Sequence, residues 1–117
     1  MTVDSPVTSQ RPRIAIAGAT GRVGSTLVSL LAPESVDVVA LTRTPDAANL
    51  PLGVAAAQVD FNEPRTFVDA LQGTERLFVS HGTSLQQVEN EIALIDAAVA
   101  SGVRHIVSFR PLGLRLA

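Results

Sequence analysis

Ile14-Ala15-Ile16-Ala17-Gly18-Ala19-Thr20-Gly21-Arg22-Val23-Gly24 is the stretch from which the rest of the chain is read. A short apolar run gives way to glycines at 18, 21 and 24, and a helical pattern starts among them. Residues 13–18 therefore read as a strand and residues 18–24 as a tight turn. A helix follows from Arg22 to Ala32, with Val23, Leu27, Leu30 and Leu31 on one apolar face. Pro33 stops it.

Upstream, residues 1–12 are polar with prolines at 6 and 12, and read as a disordered arm. Downstream, β-branched and apolar runs alternate with helical ones. Val36–Leu41 is a second strand and Val54–Val59 a third, with a helical turn near residues 46–50 between them. Asn62 caps a helix whose buried face is Phe67, Val68 and Leu71 and which stops at Gly73. Arg76–Ser80 is a fourth strand. A long helix runs from Leu85 to Ser101, with a capping box from Ser84 and Gln87 and an apolar row of Leu85, Val88, Ile92, Ile95 and Val99. Arg104–Phe109 is a fifth strand. The alternation predicts an α/β domain over residues 13–117, a doubly wound parallel sheet. Right-handed crossovers order its strands 3-2-1-4-5, the Rossmann arrangement. Such a sheet normally continues into a sixth strand, so the expectation is a C-terminally truncated domain whose fifth strand keeps a free edge suited to self-association.

Bulk composition narrows the chemistry. The 117 residues are 46% hydrophobic with four Phe, no Trp and no Tyr, so the core is built of Ala, Val, Leu and Ile. Net charge is -2 without a run of like charge, which argues against nucleic acid or an anionic membrane as main partner. There is no Cys, hence no disulfide, thiolate chemistry or cysteine-ligated zinc, and no metal site is expected. The opening residues lack the pattern of a signal peptide, and no apolar run approaches a bilayer span, which makes a cytoplasmic protein the expectation. All nine basic residues are Arg. Without Lys or Tyr, this chain offers neither a phenol nor a lysine for acid–base work.

Each glycine of the opening stretch has a separate use. Gly18 permits the turn off the strand, Gly21 lets backbone approach a phosphate, and Gly24 lets the helix pack against the sheet. The N–H groups from Thr20 to Val23 then point at a pyrophosphate, aided by the positive end of the helix dipole. Arg22 either adds charge there or turns to water. At the end of the second strand a carboxylate would favour NAD, whereas an arginine favours NADP. Arg43 stands there between Thr42 and Thr44, and Asp37 is at the other end of the strand. Asp60 ends the third strand, where its carboxylate either accepts from the adenine amine beside Phe61 or caps the next helix. Ser80-His81-Gly82 ends the fourth strand at the ligand-bearing edge, with Gly82 allowing close approach to the cofactor riboses. His81 lacks an orienting acid within sequence reach and reads as a loop histidine, not a base. His105 starts a strand on the far side from the site. Ser108 either faces the nicotinamide or bonds to backbone.

The glycine stretch, Thr42-Arg43, Val59–Pro64, Ala70–Gly73 and Ala97–Val107 together resemble the NmrA-like, NAD(P)H-binding branch of the atypical short-chain dehydrogenases. The resemblance implies pyrophosphate binding by Gly18, Thr20, Gly21, Arg22, Val23 and Gly24. It puts Arg43 at the 2′-phosphate, Asp60 and Phe61 at the adenine, and Ser80, His81 and Gly82 in the ribose region. It implies an NADP(H) cofactor in preference to NAD(H), and an oxidoreductase that passes hydride to a quinone-like or other small acceptor. Two departures bear on that. The family continues well past its fifth strand to build a substrate pocket, and its catalytic Tyr and Lys have no counterpart here. The alternatives are a non-catalytic NAD(P)-sensing module or a truncated, inactive fragment.

Overall fold

The structure, a computed structural model, describes residues 11–18, 22–80 and 85–109. Five strands, β1 (Arg13–Ala17), β2 (Asp37–Thr42), β3 (Ala55–Gln58), β4 (Arg76–Ser80) and β5 (His105–Phe109), alternate with α1 (Arg22–Leu31), α2 (Arg65–Ala70) and α3 (Leu85–Ala100). They form one all-parallel sheet in the order β3-β2-β1-β4-β5. This is the doubly wound sheet that the alternating pattern predicts. The expected helical turn after β2 is a 3₁₀ turn at Pro45–Ala47. Ahead of β1, Arg11 donates to the Val36 carbonyl at 2.9 Å and pairs with Asp37 at 3.2 Å, while the Pro12 carbonyl accepts the Asp37 N–H.

Alternation along each strand sends side chains to two layers. Ala15, Ala17, Val39, Leu41, Leu77 and Val79 meet Phe67, Leu71, Leu94 and Ala98 of the α2–α3 segment on one face. Ile16, Val38 and Ala40 meet Val28 of α1 on the other, with Ile14, Leu27, Leu31, Leu50 and Phe78 packed around them. Ala15, Ile16 and Ala40 are fully buried, as a central parallel strand pair requires. Gly73, with φ of +72°, carries the chain out of the α2 segment towards β4 in a conformation other residues resist.

Helix faces are turned from where apolar spacing puts them. On α1 the buried residues are Gly24 and Val28, while Val23 is 37% and Leu30 65% exposed. The helix lies over β2, β1 and β4, and the side of its apolar stripe that faces β5 is left without cover among the described residues. There Val23, Leu27 and Leu30 border an open apolar pocket of about 440 Å³ with Phe78 and Phe109. On α3 the buried row is Glu91, Leu94 and Ala98, whereas Ile92 and Val99 are exposed. A charged Glu within that row and a small Ala at its end hide it from a reading based on large apolar residues. Asn62 is not a cap: Pro64 precedes α2 with no side-chain cap bond. Ser84 of the expected capping box lies outside the described residues.

Leu94→Ala should cost about 2–5 kcal/mol of unfolding free energy, because Leu94 is fully buried between α3 and the sheet. Leu30→Ala should stay within about 0.5 kcal/mol of wild type. Urea titration followed by circular dichroism distinguishes these outcomes from the order that simple helical spacing implies.

Candidate functional site

Parallel pairing brings the carboxyl ends of the strands to one edge. Ala17 is in register with Leu41 and Val79, and Leu41 with Ala57. Gly18, Arg43 and Val59-Asp60 follow their strands and Ser80 ends β4 at this edge, so the candidate segments read from four separate stretches converge there. Ligands of open α/β sheets bind along this edge, where the strand order reverses between β1 and β4.

At its centre, Gly18 has φ of +77°, the turn the motif needs and one an L side chain resists. Helix α1 begins at Arg22, with Val23 partly exposed in its first turn and Gly24 buried. A buried glycine in the first turn lets the helix approach the sheet closely, the use this position has in dinucleotide-binding turns. Those features fit a dinucleotide. Thr20, Gly21, His81 and Gly82, also expected at the site, lie outside the described residues.

Beside the turn, Arg43 is exposed and follows β2 directly. Thr42 Oγ1 accepts the Thr44 N–H at 3.2 Å, a short hydroxyl turn around Arg43. Ser25 and Ser29 of α1, Thr42, Thr44 and Asn49 line an open pocket of about 430 Å³ between the helix and this loop. Ser25, Ser29 and Asn49 escape a reading of the sequence because they are ordinary polar residues until folding places them around one space. Asp37, the acid that would compete with Arg43, starts β2 at the far edge and is paired with Arg11. His105 likewise starts β5, in register with Arg76 at that far edge.

Asp60 is braced from two sides. Its Oδ1 accepts the Asn62 N–H at 2.9 Å, and its own N–H donates to Thr66 Oγ1 at 2.9 Å. The Thr66 hydroxyl also donates to the Glu63 carbonyl at 2.7 Å. One carboxylate oxygen thus closes a local turn ahead of α2, which is neither the adenine contact nor a cap on the helix, since α2 has no side-chain cap bond. Phe61 packs edge-to-face on Phe67, centroids 5.3 Å apart, and so is partly built into the core. Ser108, for which the nicotinamide side is one expectation, instead donates its hydroxyl to buried Glu91 of α3. That bond lies on the α2–α3 face, beneath the edge.

The turn, the helix start and the polar residues along one sheet edge define a dinucleotide-binding α/β domain. A family model for NAD(P)H-binding proteins matches residues 18–115, and the chain belongs to that family. It is 38% identical over 104 residues to an NAD(P)H azoreductase of Xenophilus azovorans, covering 86% of this chain and 36% of that one. Among solved structures, the NADPH-dependent quinone oxidoreductase of Escherichia coli complexed with NADPH superposes with a TM-score of 0.67 at 31% identity, over 81% of this chain and 35% of the other. The Citrobacter triphenylmethane reductase complexed with NADP(H) gives 0.71 at 28%, over 82% and 36%. An NmrA variant shares the fold, with a TM-score of 0.67 at 24% identity. The chain spans about a third of the length of these relatives. No helix among the described residues is long and apolar enough to cross a membrane, and no group of possible metal ligands occurs among them.

Thr66→Val should destabilise the domain by about 1–3 kcal/mol, since it leaves the partly buried Asp60 N–H without its acceptor. Thr66→Ser should stay near wild type. Thermal unfolding of both variants checks the difference.

Proposed function

We propose that the chain is the NADP(H)-binding part of a reductase of the NmrA-like kind, passing hydride from NADPH to a quinone-like or other small acceptor. The observation that carries this reading is Arg43. It is an exposed cation directly after β2, at the edge that holds the Gly18 turn, while the only acid of that strand is at its other end. A guanidinium there takes a 2′-phosphate bidentately, where a carboxylate would take the 2′-hydroxyl of NAD. The likeness to an azoreductase, a quinone oxidoreductase and a triphenylmethane reductase supports hydride transfer as the reaction class.

In this reading Gly18, Thr20, Gly21, Arg22, Val23 and Gly24 hold the pyrophosphate through backbone N–H groups. Asp60 and Phe61 border the adenine, and Ser80, His81 and Gly82 border the riboses. NADPH, when bound, supplies the hydride. The chain's own residues bind and orient it, and hydride transfer needs position more than an acid–base pair. Among the described residues no strand pairs with the outer edge of β5, where His105, Val107 and Phe109 are exposed; a second copy of the chain is a further partner for that edge, and light scattering at rising concentration tests that.

Calorimetric titration of the full chain should give tighter binding of NADPH than of NADH. No binding of either at millimolar concentration removes the cofactor assignment. Arg43→Glu should weaken NADPH roughly 10- to 100-fold, the worth of a charge-assisted hydrogen bond, with little effect on NADH. NADPH oxidation assayed against quinones and azo dyes then separates a reductase from a module that only binds the cofactor.

A further inference from the structure

Thr42 and Gln58 are register partners, the last ladder pair between β2 and β3. Both side chains bond to the backbone around Arg43. Thr42 Oγ1 accepts the Thr44 N–H at 3.2 Å, and Gln58 Nε2 donates to the Arg43 carbonyl at 3.4 Å. The Val59 N–H donates to the Thr42 carbonyl at 2.9 Å, carrying the β2–β3 ladder one step further. Past Arg43, the Ala47 N–H closes a 3₁₀ turn on the Thr44 carbonyl at 3.1 Å, with Pro45 in its first position. The peptide groups on both sides of Arg43 are therefore held, although the segment is exposed. The Arg43 guanidinium itself has no ion pair or hydrogen bond among the described residues.

A clasped backbone beneath an unengaged guanidinium is a preorganised anion site. Fixing the Cα–Cβ direction of Arg43 in advance reduces the ordering cost paid when a phosphate arrives. We infer that Thr42 and Gln58 are positioning residues for Arg43 and, through it, set how strongly the chain prefers NADPH to NADH. This rests on the assignment of Arg43 to the 2′-phosphate. NADH, which lacks that phosphate, draws nothing from the clasp, so weakening the clasp lowers affinity for one cofactor and spares the other. A residue that merely supported the fold would lower both together.

The test measures dissociation constants of NADPH and NADH for the full chain and for Thr42→Val, Thr42→Ser, Gln58→Leu and Arg43→Ala, with melting temperatures alongside. Thr42→Val and Gln58→Leu should each weaken NADPH by about three- to tenfold, the range of one modest hydrogen bond, and leave NADH within about twofold. Thr42→Ser keeps the acceptor oxygen and should restore the wild-type ratio. Arg43→Ala should abolish the preference. If Arg43→Ala abolishes it while Thr42→Val and Gln58→Leu leave the ratio unchanged, or shift both cofactors equally, the clasp is refuted and the role of Arg43 stands. If Arg43→Ala itself leaves the ratio unchanged, the 2′-phosphate assignment fails, and the clasp with it.

Discussion

Strand β1 is the constraint on which the domain depends. Its backbone is bonded to β2 on one side and β4 on the other, and Ala15 and Ile16 are buried in opposite layers. A strand with both faces and both edges occupied has one register available to it, because a slip of one residue would exchange its layers. That register sets the height at which the chain leaves β1, and so where Gly18 turns and α1 begins. The neighbouring strands inherit the same height through the parallel ladders. Convergence of Gly18, Arg43, Asp60 and Ser80 on one edge is thus a property of the sheet and needs no contact among the four residues.

The two faces of the sheet are unequally furnished. The side towards α2 and α3 has a continuous core reaching from Phe67 and Leu71 to Leu94 and Ala98, and even β5 contributes Ile106 to it. On the other side, one ten-residue helix covers β2, β1 and β4, and the flank towards β5 is bordered by exposed Val23, Leu30, Val107 and Phe109. Glu91 is the one charged side chain fully withdrawn from solvent among the described residues. Its bond from Ser108 ties α3 to the outermost strand, a position where the core alone would hold β5 by a few apolar contacts.

Much of this was legible in the chain. Strand order follows from alternation and crossover handedness, and β4 from Arg76 to Ser80 falls where its apolar run lies. The Gly18 turn is visible because glycine at a strand end has few other uses. What escaped is whatever depends on one segment's relation to another. Helical spacing identifies a stripe but not how much of it a neighbour covers, so Leu30 and Ile92 were read as core. The large apolar residues of α3 drew attention from Glu91, whose bond from Ser108 joins two segments far apart in the chain. Asn62 has the composition of a cap, yet Thr66, four residues on, organises that turn from inside the helix. The pairing of Thr42 with Gln58 joins residues 16 apart that carry no shared signal in either strand.

Strand β3 is four residues long, three of them alanines, and it forms an outer edge of the sheet with Ala55 and Ala56 exposed. Little side-chain volume holds it, so its amides belong to the part of the domain that opens at the smallest free-energy cost, well below global unfolding. Gln58 ends this strand and Val59 follows it, and both reach across to the segment around Arg43. Local fraying of the sheet's outer edge therefore loosens that loop while the glycine turn, anchored on the most protected strand, stays formed. Breathing of one weak strand is coupled in this way to one end of the site and not to the other.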